Sequence, residues 1–211
     1  MNERNRTPWL RISAEGATII ASILFAFAID AWWDGVQADR DTQEMLEAVL
    51  FEMEANLDSL QDSIAHHAEI VAAINIVQEQ KSISGLLEAA VIDVEVFEPS
   101  EGALDTLIAT GMLSEINDRA LQISLGAFAA YTNDLRDREF RAVDFRDAAR
   151  RRIAAIGVPI WDRPDTDRIN MDVHMLNLLT MRQAEEQAAI ESAQRLERHL
   201  RVLLSQLDPV R

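Results

Sequence analysis

The stretch Ile12 to Ala31, ISAEGATIIASILFAFAIDA, decides how the rest of the chain is read. Its centre, Gly16 to Ile29, is fourteen residues without a charge, a length that suits a signal-peptide core or a buried helix as well as a membrane span. The flanks extend it. Twenty residues make about 30 Å of helix at roughly 1.5 Å per residue, the thickness of a hydrocarbon core. Trp9 stands just before the stretch and Trp32 and Trp33 just after it, where amphipathic rings settle at the two interfaces. The reading is a single transmembrane helix near the N-terminus.

Two acids within the stretch need a reason, because a carboxylate at mid-bilayer costs about 2.5 to 3.5 kcal/mol even on the lenient insertion scale. Both lie near its ends. Glu15 follows Arg11 by four residues, so the two share a helix face, and Asp30 adjoins the Trp pair and reaches water. A polar contact with a partner helix is the alternative reading of both. Ala17 with Ala21, and Ser22 with Ala26, are small residues at four-residue spacing that let a second helix approach closely. Arg4, Arg6 and Arg11 precede the segment while Asp30, Asp34 and Asp39 follow it, which keeps the N-terminus in the cytoplasm. The expected division is residues 1–11 as a short cytoplasmic tail, 12–33 as the anchor and 34–211 as an extracytoplasmic domain, periplasmic in a bacterium and held at its inner membrane. The competing reading is a cleaved signal peptide, since Ala26-Phe27-Ala28 has the small-x-small form of a cleavage site.

Beyond the anchor the chain is strongly acidic. The first 29 residues carry three Arg against two Glu, leaving 17 basic and 34 acidic residues and a net charge of −17 for the remainder. Phosphate backbones and anionic lipid repel such a domain, so nucleic acid is excluded as an expected partner. With no cysteine, disulfides, thiolate metal sites and cysteine nucleophiles are all ruled out. The chain has 211 residues, room for one domain besides an anchor, and its 7 Gly and 5 Pro are too few for a turn-rich β architecture. An all-α protein is predicted.

Leu46, Leu50, Met53, Leu57, Leu60, Ile64, His67, Val71 and Ile74 follow spacings of four and three, the seam of a bundle or coiled-coil helix. Cover by the chain's own later helices is the preferred reading of this seam, and contact with another chain the alternative. Lys81 to Gly85 breaks the pattern. Leu86 to Phe97 is left as a connector, strand or irregular. Pro99-Ser100 predicts a short helix over Glu101 to Thr110, ended by Gly111. Asn117 or Asp118 caps a long helix through Leu121, Leu125, Phe128, Leu135, Ala142, Phe145, Ala149 and Ile153, ending at Gly157 before Pro159. Its Arg150, Arg151 and Arg152 read as a solvated helix end that complements the macrodipole rather than as an anion site. Trp161 lies in the following loop, expected to anchor it on the bundle. A last helix, predicted to start at Asp165 or Thr166, carries Met175, Leu179, Ala189, Ala193, Leu196, Leu200, Leu203 and Leu207, its stripe interrupted at Arg182 and Glu186, and stops near Asp208-Pro209. Three long helices and a short one make an antiparallel bundle with long, coiled-coil-like members, continuing from the span.

Catalytic signatures are missing from the sequence: it has no GxGxxG, Walker loop, GxSxG or HExxH. The Glu-x-x-His pairs of helical two-metal sites are missing too, since Ser63, Ile64, Met171 and Leu196 stand three residues before the four histidines. Asp62, His66 and Glu69 share a helix face and read as an exposed local group rather than a cation site. His67, on the seam, reads as a partly buried histidine with a polar neighbour rather than as a pH switch. No cofactor or metal is expected.

Glu15, the apolar run and Asp30-Ala31-Trp32 resemble the anchor of a large group of uncharacterised bacterial single-pass membrane proteins, in which a Glu, a short apolar stretch and an Asn or Asp precede Trp. Ala103-Leu104 through Leu107, Thr110-Gly111, Leu113, Ile116 and Leu121 to Leu125 are similar to their middle portion. Asp30-Ala31 departs from the amide pair common there. The resemblance implies an anchored helical domain and brings no catalytic residues with it. The expected function is a non-enzymatic accessory or scaffolding subunit in contact with membrane lipid, either a homo-oligomer or part of a larger membrane complex. Its packing surfaces are the span residues Trp9, Arg11, Glu15, Ala17, Ala21, Ser22, Ala26, Asp30, Trp32 and Trp33, with the seam Leu46, Leu50, Met53, Leu57, Leu60 and Ile64. The alternatives are a ligand-sensing periplasmic domain that relays to a partner and, third, a metal-dependent enzyme.

Overall fold

Pro8 fixes the backbone angle suited to a first helical turn, and no proline follows until Pro99. One helix, α1, accordingly runs from Pro8 to Gln80 over 73 residues. The structure, a computed structural model, describes residues 8–80, 88–155 and 172–208, with the side chains of 8–12 and 88–89 left out. The chain is all-α. After α1 come a single π turn at Glu88–Ile92, α2 (Gly102–Ala109), a 3-10 turn at Met112–Ser114, α3 (Arg119–Ala155) and α4 (Val173–Leu207). The expected break at Lys81 to Gly85, the end of the third helix at Gly157 and Pro159, the start signals Pro164 to Thr166, Trp161 and Pro209 all lie outside the described residues.

The chain divides into two units, Met1–Met45 and Leu46–Arg211. In the first, the N-terminal part of α1 is long and apolar enough to cross a membrane, and none of its most apolar stretch is buried. Two hydroxyls in this stretch are satisfied inside the helix: Thr18 donates to the Ala14 carbonyl at 2.9 Å and Ser22 to the Thr18 carbonyl at 2.8 Å. Such internal pairing is what a hydrocarbon surrounding requires of polar groups. Trp32 and Trp33 meet edge to face, with ring centroids 6.4 Å apart.

In the second unit the four-and-three spacing does what it predicts. Leu46, Leu50, Met53, Leu60 and Ile74 are buried, whereas Leu57, Ile64 and Val71 are half-buried. The chain itself covers the seam. Each fully buried aliphatic side chain contributes roughly 1.5–3 kcal/mol relative to exposure, and the stripes of α3 and α4 (Leu121, Leu125, Phe128 and Leu135; Leu179, Leu196, Leu200 and Leu203) are buried as well.

The hydrogen bonds give the helix directions. Gln61 meets Glu197 while Gln78 meets Thr180, so α1 and α4 are antiparallel. His199 meets Ser124 while Arg141 meets Glu185, so α3 and α4 are antiparallel too. It follows that α1 and α3 are parallel. The chain between them has to return along the bundle, and residues 90–109 form that leg, a strap of π turn, irregular chain and α2 laid against the long helices. Residues 88–92 are thus helical, and 93–100 carry neither strand nor helix.

Among the described residues, local start and stop signals are used as expected. Asp118 Oδ1 accepts from the backbone N–H groups of Ala120 and Leu121 at 2.8 and 3.2 Å, capping α3. Gly111 closes α2 with a φ of 83°, a left-handed value suited to glycine. α4 runs from Val173, where the Asp172 carboxylate accepts from Met175 N–H at 2.8 Å. Arg152, at the end of α3, bonds the same Asp172, so one member of the basic triplet ties two helices together. That pairing holds the Asp172 carboxyl below the usual carboxylate range.

Candidate functional site

The strap poses a problem of backbone chemistry. Chain without regular structure, laid on helices whose own backbones are already paired, would leave buried N–H and C=O groups orphaned, and each orphan costs about 1–3 kcal/mol. Side chains from all three long helices supply the partners. Arg182 of α4 donates to the carbonyls of Ala90 at 2.8 Å and Asp93 at 2.6 Å. Glu139 of α3 accepts from the Phe97 N–H at 3.1 Å. Asn56 of α1 makes a two-way grip on Ser100, accepting from its N–H at 2.7 Å and donating to its carbonyl at 2.8 Å. One turn earlier on α1, Glu52 accepts from the Ala103 N–H at 2.8 Å and the Leu104 N–H at 3.3 Å, capping α2 from outside. The Glu101 side chain makes no cap bond, and a Cβ on Gly102 would lie 3.3 Å from the Glu52 carboxylate.

Arg182 and Glu139 belong to a larger ionic group at the centre of the bundle. The Arg182 Nε donates to Glu186 Oε1 at 3.0 Å. The other Glu186 oxygen lies 2.6 Å from His67 Nδ1, and His67 Nε2 lies 3.3 Å from Glu139 Oε1. His67, Glu139 and Arg182 are all 0% exposed, and Glu186 2%. An unpaired buried charge costs several kcal/mol, so the sign of each member matters. Burial acts to strip the proton from His67, but the hydrogen bonds and charges of Glu139 and Glu186 outweigh it and raise the ring to about 9. Burial also pulls the Arg182 guanidinium down from its ordinary value, with Glu186 opposing, yet a guanidinium keeps its charge in proteins. Two cations then face two carboxylates and the group is neutral.

Sequence reasoning missed most of this group. His67 was singled out, with a polar neighbour, but it is wholly rather than partly buried and has two carboxylate partners. Arg182 and Glu186 were read as interruptions of a stripe, and Glu139 was passed over. His66, expected beside Asp62 and Glu69, has its Nε2 3.2 Å from Asp93 of the strap instead.

The other predicted residues are scattered along α1. Trp9 and Arg11 lie in its first turns, their side chains outside the described atoms. Glu15, Ala17, Ala21, Ser22, Ala26, Asp30, Trp32 and Trp33 are exposed. Among the described residues no group of three or more metal-ligating side chains is placed to hold an ion. The ionic group offers a substrate no access, since its members are sealed by the bundle and hydrogen-bonded to each other and to the strap. Its chemistry is that of a clamp, holding an irregular segment in one register.

Searches of protein-family models, curated proteins and solved structures with this chain find no match.

Proposed function

We propose that this protein is a non-enzymatic, membrane-anchored accessory or scaffolding subunit, which packs through its span and its bundle against itself or a larger membrane complex. One observation carries the reading: among the described residues, large apolar side chains in the N-terminal part of α1 are exposed. Phe25 is 69% exposed, Phe27 66% and Leu24 62%, while the seam of the bundle unit is closed. A contiguous apolar surface of this kind needs lipid or another helix. The polar interior supports the same reading, because its buried charges are spent on holding the strap.

The finer assignment follows from the flanking charges. The N-terminus stays in the cytoplasm of a bacterial cell and the bundle stands in the periplasm, with the span in the inner membrane. Kinship with the bacterial single-pass group that the anchor resembles belongs to this proposal. Native extraction in mild detergent, followed by sizing and mass spectrometry of co-purifying chains, tests it. A defined assembly is expected; a lone monomer at working concentration overturns it.

A second reading, a ligand-sensing domain that relays to a partner, rests on the hollow of about 410 Å³ bordered by Ile108, Gly111, Leu113, Arg119, Gln122 and Ile123. That volume falls in the range of small-molecule sites. A ligand-dependent rise in melting temperature, lost in Ile123→Glu, would favour it over the scaffold.

A further inference from the structure

Phe97 of the strap and the His67 ring hang on one carboxylate oxygen. Glu139 Oε1 accepts from the Phe97 N–H at 3.1 Å and lies 3.3 Å from His67 Nε2. On the other side of the ring, Nδ1 lies 2.6 Å from Glu186 Oε2, and the second oxygen of Glu186 accepts from Arg182 Nε at 3.0 Å. The charges facing the ring are therefore Glu139 from α3 and Glu186 from α4. Arg182, on which Arg146 of α3 also bears, stands behind Glu186. On the strap side the Asp93 carboxylate lies 3.2 Å from His66, the ring's neighbour on α1.

Counting N–H donors shows what this sharing means. An imidazolium carries two of them and a neutral ring one. Charged, His67 serves both carboxylates at once. Neutral, it keeps a proton on one nitrogen and turns a lone pair toward the other carboxylate. The shorter contact and the neighbouring Arg182 favour Glu186, so Glu139 is the one left facing a lone pair. Glu139 has no reserve: it is 0% exposed, and its Oε2 has no hydrogen-bond partner among the described residues. A buried carboxylate without a cation costs far more than one amide hydrogen bond.

We infer that the second proton of His67 is a latch for the strap: when the ring loses it, water reaches Glu139 and the strap between Asp93 and Ser100 lets go while the bundle stays folded. Both ends of that segment stay fastened. Arg182 keeps Glu186 and goes on holding the Ala90 and Asp93 carbonyls, and the neutral Asn56 holds Ser100 at any pH. Between them only Phe97 is fully buried, so its ring, 3% exposed, is what release brings out. Burial acts to strip the proton, but Glu139 and Glu186 hold it to about 9. A ring that has lost Glu139 to water titrates lower, so the closed strap binds the proton more tightly than the open one. Closure is therefore complete below the lower value and fades as pH rises through about 9. The latch opens in alkali and stays shut in acid, a role for His67 that its place on the seam alone did not suggest.

Hydrogen exchange on the full-length chain in detergent tests this, at about pH 7 and about pH 10, either side of the ring's 9. Protection of the Phe97 amide, taken relative to its intrinsic rate at each pH, should fall about tenfold or more. The Ser100 amide, held by a side chain that does not titrate, should keep its protection. Equal protection of Phe97 at both pH values overturns the latch. So does protection at Phe97 that matches the Phe128 amide in the core of α3 at each pH, since Phe97 would then exchange only when the whole chain unfolds. Glu139→Gln supplies a second check. It keeps an oxygen for the Phe97 N–H and removes the charge that His67 balances, at nearly the same size. Phe97 in that variant should be protected almost equally at the two pH values, and a variant as sensitive as the wild type would show that Glu139 is not what the proton holds in place.

Discussion

The Nδ1 atom of His67 lies 2.6 Å from Glu186 Oε2, across the contact of α1 and α4 and 119 residues apart in the chain. The ring is a permanent cation in the folded protein at neutral pH, because its partners raise it from an ordinary 6.5 to about 9. A raised folded-state value contributes stability that is complete below the unfolded value and is lost as pH climbs through the folded one. Unfolding midpoints should therefore fall between pH 6.5 and 9, by up to roughly 3 kcal/mol in free energy. His67→Gln should flatten that slope. A wild-type midpoint that stays level across the window would contradict the charged state of His67.

Arg182 holds two strap carbonyls and pairs with the Glu186 carboxylate. Arg182→Met should cost about 3–5 kcal/mol, the penalty of stranding a buried charge. The double variant with Glu186→Leu restores neutrality and should lose less than the single one. Denaturant titration measures both. Additive losses would show that charge balance is not what the cluster provides.

Asn56→Ala removes both bonds to Ser100, leaving a donor and an acceptor without partners at about 1–3 kcal/mol. Glu52→Ala removes the external cap of α2 at about 1 kcal/mol. Hydrogen exchange should quicken at Ser100 in the first variant and at Ala103 and Leu104 in the second. Unchanged protection at these amides would refute the clamp.

Phe25→Arg sets a charge in the middle of the apolar stretch, where it costs about 2.5–3.5 kcal/mol. If the segment resides in lipid, the wild-type chain resists alkaline carbonate and this variant is partly released. Release of the wild-type chain itself would remove the anchor from the proposed function.

The helices were legible because burial repeats at their own period. Leu46, Leu50, Met53 and Leu60 were read from spacing and are buried. The ionic group was not legible, because each member looks like a flaw in a stripe and, apart from Arg182 and Glu186 four residues apart, the partners stand 42 to 119 residues away. A signal was nevertheless present. Met175, Leu179, Arg182, Glu186, Ala189 and Ala193 keep the four-and-three spacing straight through the charged pair, as Leu135, Glu139 and Ala142 do on α3. A charge that holds the rhythm of a buried face is in the core with a partner, whereas a true break shifts the rhythm. The strap's path was out of reach for another reason, since chain without a period carries no record of what it lies on.

That path constrains how the molecule can be made. The strap's fastenings at Glu52 and Asn56 precede it in the sequence, while those at Glu139 and Arg182 follow it. A ribosome delivers residue 182 about ninety residues after Ala90, so the growing polypeptide waits with this segment fastened at one end only. Until α4 has emerged, Ala90 and Asp93 lack their native partners, and the nascent protein offers proteases and chaperones a handle that the finished one withdraws.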